Sequence, residues 1–263
     1  MPLEITNLQA QKKAHRFNLF IDHKFAIGIS EDTLIQFQLY KGKAITANEL
    51  SQIKSSEQVN QAKLAALNYL SYQPRSCFEI EQYLRKKGFT KETATAAVDK
   101  MQALKLLDDL QLAKNYLKTM QRTSDHGPLL LKKKLLQKKI PPEKIEQAFS
   151  SYDHQMEKQL LKKLVNKYFQ HYDRDSFSQK IAKIKQRLFA KGFALDAINT
   201  ALETLPAPNI QQEQQALTVQ LEKIWHSSAK LPASKRKQRC IACLLRKGFS
   251  FDDIQSALSN FIE

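Results

Sequence analysis

Cys240 and Cys243 are spaced as C-x-x-C, which suits a metal or a redox pair. A zinc site needs four ligands, and the third cysteine, Cys77, is distant in the chain. The six histidines, His15, His23, His126, His154, His171 and His226, show no H-x-x-x-H or similar ligand spacing. The carboxylate pairs Asp108-Asp109 and Asp252-Asp253 open stretches of helical periodicity, where acidic side chains cap free N–H groups. Lys86-Lys87-Gly88-Phe89-Thr90 has a lysine, a glycine and a threonine in a row, but it lacks the earlier glycine of a phosphate loop and its flanks are helical. There is no G-x-S-x-G elbow. These readings expect no catalytic residue, no metal and no cofactor.

The remaining chemistry is binding by positive charge. Net charge is +16; residues 58–263 hold 35 Lys and Arg against 20 Asp and Glu, and residues 1–57 hold 7 against 6. Such a field concentrates polyanions and speeds encounters with them. The basic residues cluster. Arg75, Arg85, Lys86 and Lys87 surround one corner, and arginine suits phosphate or carboxylate bidentately. Arg122 precedes a second cluster, Lys132, Lys133, Lys134, Lys138 and Lys139, within residues 126–142, which hold no carboxylate. If Leu131 and Leu135 face a core, Lys132 and Lys139 fall on one flank, Lys134 on the other and Lys133 on the far face. Lys235, Arg236 and Lys237 form a third cluster, with Arg239 close by. Most aromatics lie on apolar stripes; Tyr72 lies off the stripe and near Arg75, where an exposed ring could stack on a base.

These residues sit on a repeated unit. Anchoring each copy at Gly88, Lys139, Gly192 and Gly248 places lysine one position earlier (Lys87, Lys138, Lys191, Lys247) and a bulky apolar residue one later (Phe89, Ile140, Phe193, Phe249). Leucine stands four before (Leu84, Leu135, Leu188, Leu244) and alanine nine after (Ala97, Ala148, Ala201, Ala257). The anchors are 51, 53 and 56 residues apart, the length of a supersecondary unit that buries part of its apolar face against its neighbours. Each copy reads as helix, tight corner and helix, preceded by a further helix. Ser76 with Glu79, Thr46 with Glu49 and Ser250 with Asp253 have capping-box spacing. By this alignment Cys240 takes the core place of Ile80, Leu131 and Ile184, so a buried thiol is expected.

The first fifty residues differ. Phe17, Leu19 and Ile21, then Phe25, Ile27 and Ile29, alternate with period two around Asp22-His23-Lys24, which predicts a hairpin. Residues 3–8 add a third strand, and Ser30 caps a short helix carrying Leu34 and Phe37. The polar stretch 54–60 predicts the boundary, and residues 59–73 the first helix of the first repeat. The chain is therefore expected to be mainly α: a small α+β domain over 1–57, then three-helix repeats over 58–106, 107–152, 153–206 and 207–263, in an elongated curved array. No apolar run reaches the roughly 18 residues of a membrane span, and the N-terminus lacks the layout of a secretory signal. Three cysteines make no disulfide framework, so a reducing cytoplasm is expected; the chain is expected to be a monomer.

The run Ala66-Leu67-Asn68-Tyr69-Leu70-Ser71-Tyr72-Gln73-Pro74-Arg75-Ser76, with Glu79, Leu84 and Lys87-Gly88-Phe89, resembles the opening repeat of the RecX family, modulators of the RecA recombinase. Leu107-Asp108-Asp109, Ala113, Tyr116, Gly127-Pro128, Leu135, Lys138 and Ile140 continue the likeness. Arg16-Phe17-Asn18-Leu19 and Ala26-Ile27-Gly28-Ile29-Ser30 are similar to the N-terminal extension of longer Gram-positive members. The sequence departs at Lys139, where the family's second repeat usually has glycine. The resemblance implies a non-enzymatic protein that binds the RecA–single-stranded-DNA filament and modulates its assembly, ATPase and strand exchange in recombination and repair, with inhibition the expected direction. The residues alone leave two alternatives open: a plain nucleic-acid binder and a helical scaffold for acidic proteins.

Overall fold

A computed structural model describes residues 3–12 and 14–262. The N-terminal strands β1 (Leu3–Ala10), β2 (Arg16–Ile21), β3 (Lys24–Ser30) and β4 (Ala44–Ile45) form one antiparallel sheet in the order β3-β2-β1-β4. Leu19 pairs with Leu8 on one side and Ile27 on the other. Asp22 and His23 turn the β2–β3 hairpin with φ of 47° and 62°, matching the left-handed residues of a two-residue turn. Helix α1 (Glu31–Gln36) follows, capped by the Ser30 hydroxyl.

Helix α2 (Ala47–Leu70) corrects the expected boundary. Residues 54–60 are helix interior rather than linker, and one helix serves two cores. Ile53 packs with Ile5, Leu19 and Ile29 of the sheet domain, while Ala62 and Ala66 pack with Ile80, Leu84 and Met101 of the first repeat. The buried positions between those two groups are Glu57 and Asn60. Their polarity mimics a linker because the face they bury is itself polar.

Three-helix groups follow. The first combines α2 with α3 (Cys77–Lys86) and α4 (Lys91–Ala103); the second holds α5 (Asp109–Thr123), α6 (Pro128–Gln137) and α7 (Pro142–Phe149). The third holds α8 (His154–His171), α9 (Phe177–Ala190) and α10 (Leu195–Leu202), and the fourth α11 (Ile210–Ser227), α12 (Ala233–Arg246) and α13 (Phe251–Ile262). Ile184, Leu188, Phe193 and Ile198 are fully buried in the third repeat; Cys240, Leu244, Ile254 and Leu258 are fully buried in the fourth. Each such leucine or phenylalanine contributes about 1.5–3 kcal/mol by leaving water. Two compact units result, Met1–Tyr116 with Leu135–Ser150 and Leu117–Lys134 with Ser151–Glu263, so the second repeat is divided between them.

The corner signature is the chemistry of a helix stop. At each corner the residue after the anchor donates its N–H to the carbonyl of the leucine four before it: Phe89 to Leu84, Ile140 to Leu135, Phe193 to Leu188 and Phe249 to Leu244, at 3.2–3.3 Å. This Schellman turn needs a left-handed residue at the anchor and favours apolar contact between its two ends. Gly88, Gly192 and Gly248 have φ of 94°, 86° and 82°, and Lys139 adopts 56°. Lysine therefore accepts the same turn, at a cost in backbone strain. Lys139→Gly should stabilise the chain by about 0.5–1 kcal/mol, the left-handed penalty less the greater unfolded freedom of glycine, read as a higher denaturation midpoint with an unchanged slope.

Candidate functional site

The basic residues divide according to what the fold has already done with them, and the division begins at the contacts between repeats. In the first compact unit, the Ser76 hydroxyl caps α3 and also donates to the Lys138 carbonyl of the second repeat's corner at 2.7 Å. The N–H of Cys77, first in α3, donates to Asp109 Oδ1 at 2.9 Å. Lys138 Nζ returns to Glu79 Oε1 at 3.0 Å. In the second unit, Ser176 caps α9 and donates to the Lys247 carbonyl at 2.7 Å, and the Phe177 N–H donates to Glu213 Oε1 at 3.1 Å. Between the second and third repeats, Gly127 stands at the place of the serine. Its backbone N–H donates to the Lys191 carbonyl at 2.8 Å, Leu129 N–H donates to the Gly192 carbonyl at 3.0 Å, and Lys191 pairs with Asp125. One joint thus recurs: a helix start of one repeat sits on the corner of the next, and at two of the three joints an N–H of that start also donates to a carboxylate on the first helix of the next repeat.

This joint gives the lysine a partner before two of the four anchors. Lys138 and Lys191 reach back to a carboxylate of the preceding repeat. Burial pushes the Glu79 carboxyl up, but the Ser76 N–H and Lys138 outweigh it and hold it below the ordinary range. Lys191 holds Asp125 low in the same way. Both pairs are partly exposed, so each contributes about 1 kcal/mol or less. They fix the seating of the corner more than its strength.

Aromatic faces hold a second set of basic residues. The Arg75 guanidinium lies 4.5 Å from the Tyr69 ring centre, Tyr69 stacks on Tyr83 at 4.0 Å, and Lys87 Nζ lies 5.7 Å over Tyr83. Arg187 covers Tyr168 at 4.8 Å, and Arg236 covers Trp225 at 4.0 Å while donating to the Trp225 carbonyl. These contacts occupy ring faces of Tyr69, Tyr83, Tyr168 and Trp225 on which a base would stack. Tyr72, in contrast, is 85% exposed.

Among the expected binding residues, Arg85, Lys86, Lys87, Arg122, Lys133, Lys139, Lys235 and Lys237 are exposed. Lys132 is half-buried, Lys134 lies 3.2 Å from His126 Nδ1, and Arg75, Lys138 and Arg236 are engaged as described. Sequence reasoning missed Glu79, Asp109, Asp125 and Glu213 as partners across repeats. Their signal was faint: a lysine kept at one position in four units whose other surface positions vary. Cys240 is fully buried, as the alignment expected. Burial and the nearby Asp109 carboxylate push the Cys77 thiol up to about 12, which keeps it un-ionised. Among the described residues no three His, Cys, Asp or Glu side chains are grouped as a metal would need, and no helix is long and apolar enough to cross a membrane.

Comparison with known proteins covers nearly the whole chain. Residues 3–46 match the regulatory protein RecX N-terminal domain, 62–101 its first three-helix domain and 108–148 its second. The third three-helix domain matches twice, at 156–202 and 211–258. The regulatory protein RecX of Limosilactobacillus reuteri is 31% identical over 256 residues, covering 97% of each chain, and that of Levilactobacillus brevis is 32% identical over 260 residues, covering 98% of each. A crystal structure of regulatory protein RecX superposes with a TM-score of 0.68 at 30% identity, covering 76% of this chain and 99% of that one. The RecX structure from Lactobacillus salivarius gives 0.54 at 34% identity, covering 56% and 96%. Sheet domain, repeats and corners all fall within these matches, and the chain belongs to the RecX family of regulatory proteins.

Proposed function

We propose that this chain regulates the RecA recombinase by binding, without catalysis, to the RecA–single-stranded-DNA filament in the cytoplasm, and that it slows filament growth and ATP turnover by occupying the filament. Family membership supports the recombinase as target. The observation that carries the binding reading is the split among basic residues. Arg75, Lys138, Lys191 and Arg236 are spent on internal contacts, while Arg85, Lys86, Lys133, Lys139, Lys235 and Lys237 stay exposed around the frame they build. The first, second and fourth repeats thus offer exposed charges of their own to a partner that is itself periodic.

The split gives the test. Lys133→Ala with Lys139→Ala removes two exposed charges of about 0.5 kcal/mol each, roughly a fivefold loss of affinity for recombinase-coated DNA, without loss of stability. Lys138→Ala should instead lower the denaturation midpoint. Tyr72→Leu should weaken filament binding without affecting folding; unchanged affinity removes that ring from the surface. The alternative, a plain nucleic-acid binder, predicts tight binding to bare single strands with a slope of about 0.7 log units per log salt for each phosphate contacted. Fluorescence anisotropy on coated and bare DNA separates the two readings: equal affinity for both favours the alternative.

A further inference from the structure

Three of the four corners are occupied and one is open. A Cβ built on Gly192 would lie 2.4 Å from Leu130 N, and one on Gly248 would lie 2.7 Å from Ser176 Oγ. The corner at Lys139 receives Ser76 and Glu79. At Gly88 the same Cβ would meet nothing within 4 Å. Yet the first corner has the same Lys-Gly-Phe residues, the same Schellman hydrogen bonds and the same left-handed glycine as the third and fourth. Among the described residues, no group of another repeat donates to the Lys87 carbonyl.

We infer that the corner formed by Lys87, Gly88 and Phe89 is a docking site for the start of a helix in a protein partner, with serine, threonine or glycine at its N-cap and an aspartate or glutamate beside it. The chain itself shows what such corners hold. Ser76 with Glu79 fills one and Gly127 with Asp125 another, each giving a hydrogen-bond donor to the corner lysine's carbonyl and a carboxylate to its ammonium. Ser176 gives the donor at the third. The open corner presents that carbonyl together with exposed Arg85, Lys86, Lys87 and Lys91, so it asks for a donor inside an acidic ligand. A nucleic-acid phosphate brings the charge but no donor.

A second copy of this chain is a poorer occupant, because each copy carries the same net positive charge as the corner. The helix start that corresponds to Ser76 in the fourth repeat is that of α12, where Pro232 at the N-cap has neither hydroxyl nor N–H. No acidic residue follows in the first turn, and Lys235 and Arg236 would face like charge. The repeat joint therefore does not form from α12 of one copy to this corner of another, and with a net charge of +16 on each copy the occupant we assign is a different, acidic protein. This inference rests on the chain's own joints and holds whether or not the filament is the target.

The test uses the full chain, labelled with 15N, and a helix-stapled peptide carrying residues 75–86 of this chain. The expected result is saturable movement of the Lys87, Gly88 and Phe89 amides. It should weaken about tenfold, the worth of one donor and one ion pair together, in a peptide with Ser76→Ala and Glu79→Lys, and persist with Ser76→Thr. Lys87→Glu in the full chain, at an exposed site, should reduce it likewise. Absence of movement at these amides, equal movement with the altered peptide, or movement produced instead by a short single-stranded oligonucleotide would each overturn the assignment.

Discussion

Gly192→Ala is expected to destabilise the second compact unit by about 3 kcal/mol, whereas Gly88→Ala should cost the first only about 1 kcal/mol. Both glycines are left-handed, at φ of 86° and 94°, so both substitutions carry the backbone penalty. They differ in what the new methyl group meets. At Gly192 it would enter the backbone of Leu130, 2.4 Å from its nitrogen, where Gly127 and Leu129 donate to the Lys191 and Gly192 carbonyls. Neither backbone can yield without breaking the joint, and Gly127→Ala meets the same wall at the Gly192 carbonyl oxygen, also 2.4 Å away. Denaturant unfolding followed by separate probes in each unit measures both effects. Equal losses at Gly88 and Gly192 would mean that the joint contributes nothing beyond the turn.

The second large effect is expected at Glu57. This carboxylate is fully buried and accepts from the Ser30 N–H at 2.7 Å, the Thr33 hydroxyl at 2.8 Å and the Ser30 hydroxyl at 2.9 Å; Arg16 lies 3.1 Å away. Glu57→Ala leaves the Arg16 charge without its carboxylate and the Ser30 N–H without its acceptor, and should cost about 3–5 kcal/mol of the sheet domain's stability. Burial pushes the Glu57 carboxyl up, but the hydrogen bonds from Ser30, Gln61 and Thr33 prevail and leave it below its ordinary value. Its folded pKa is thus below its unfolded one, so its stabilisation is complete above the unfolded value, about 4.3, and is lost as pH falls through the folded value. Amide exchange in β3 and α1 should quicken on acidification in the native chain. In Glu57→Gln it should be faster at neutral pH and lack this component of the acid dependence.

Local chemistry made the corners and the hairpin legible in the sequence. A Schellman turn writes its leucine, glycine and phenylalanine at fixed offsets, and a two-residue turn needs left-handed residues such as Asp22 and His23. Helix α2 was misread between 54 and 60 because periodicity assumes that a buried face is apolar, and there it holds Glu57 and Asn60. The basic surface was legible as charge but not as allocation. Nothing adjacent to Lys138 in sequence reveals Glu79, 59 residues earlier, and nothing near Arg75 says that its guanidinium lies on Tyr69 rather than in solvent. Partners far apart in sequence decide which charges are left for a ligand.

The proposed function has this chain act on the recombinase filament by binding it. Its most direct test is the single-stranded-DNA-dependent ATPase of the cognate RecA, titrated with this protein well below one copy per recombinase subunit, with binding to bare DNA measured in the same buffer. The account predicts loss of ATPase at those ratios together with weak binding to bare DNA. An ATPase that does not respond, or that falls only as the DNA is sequestered, would contradict it.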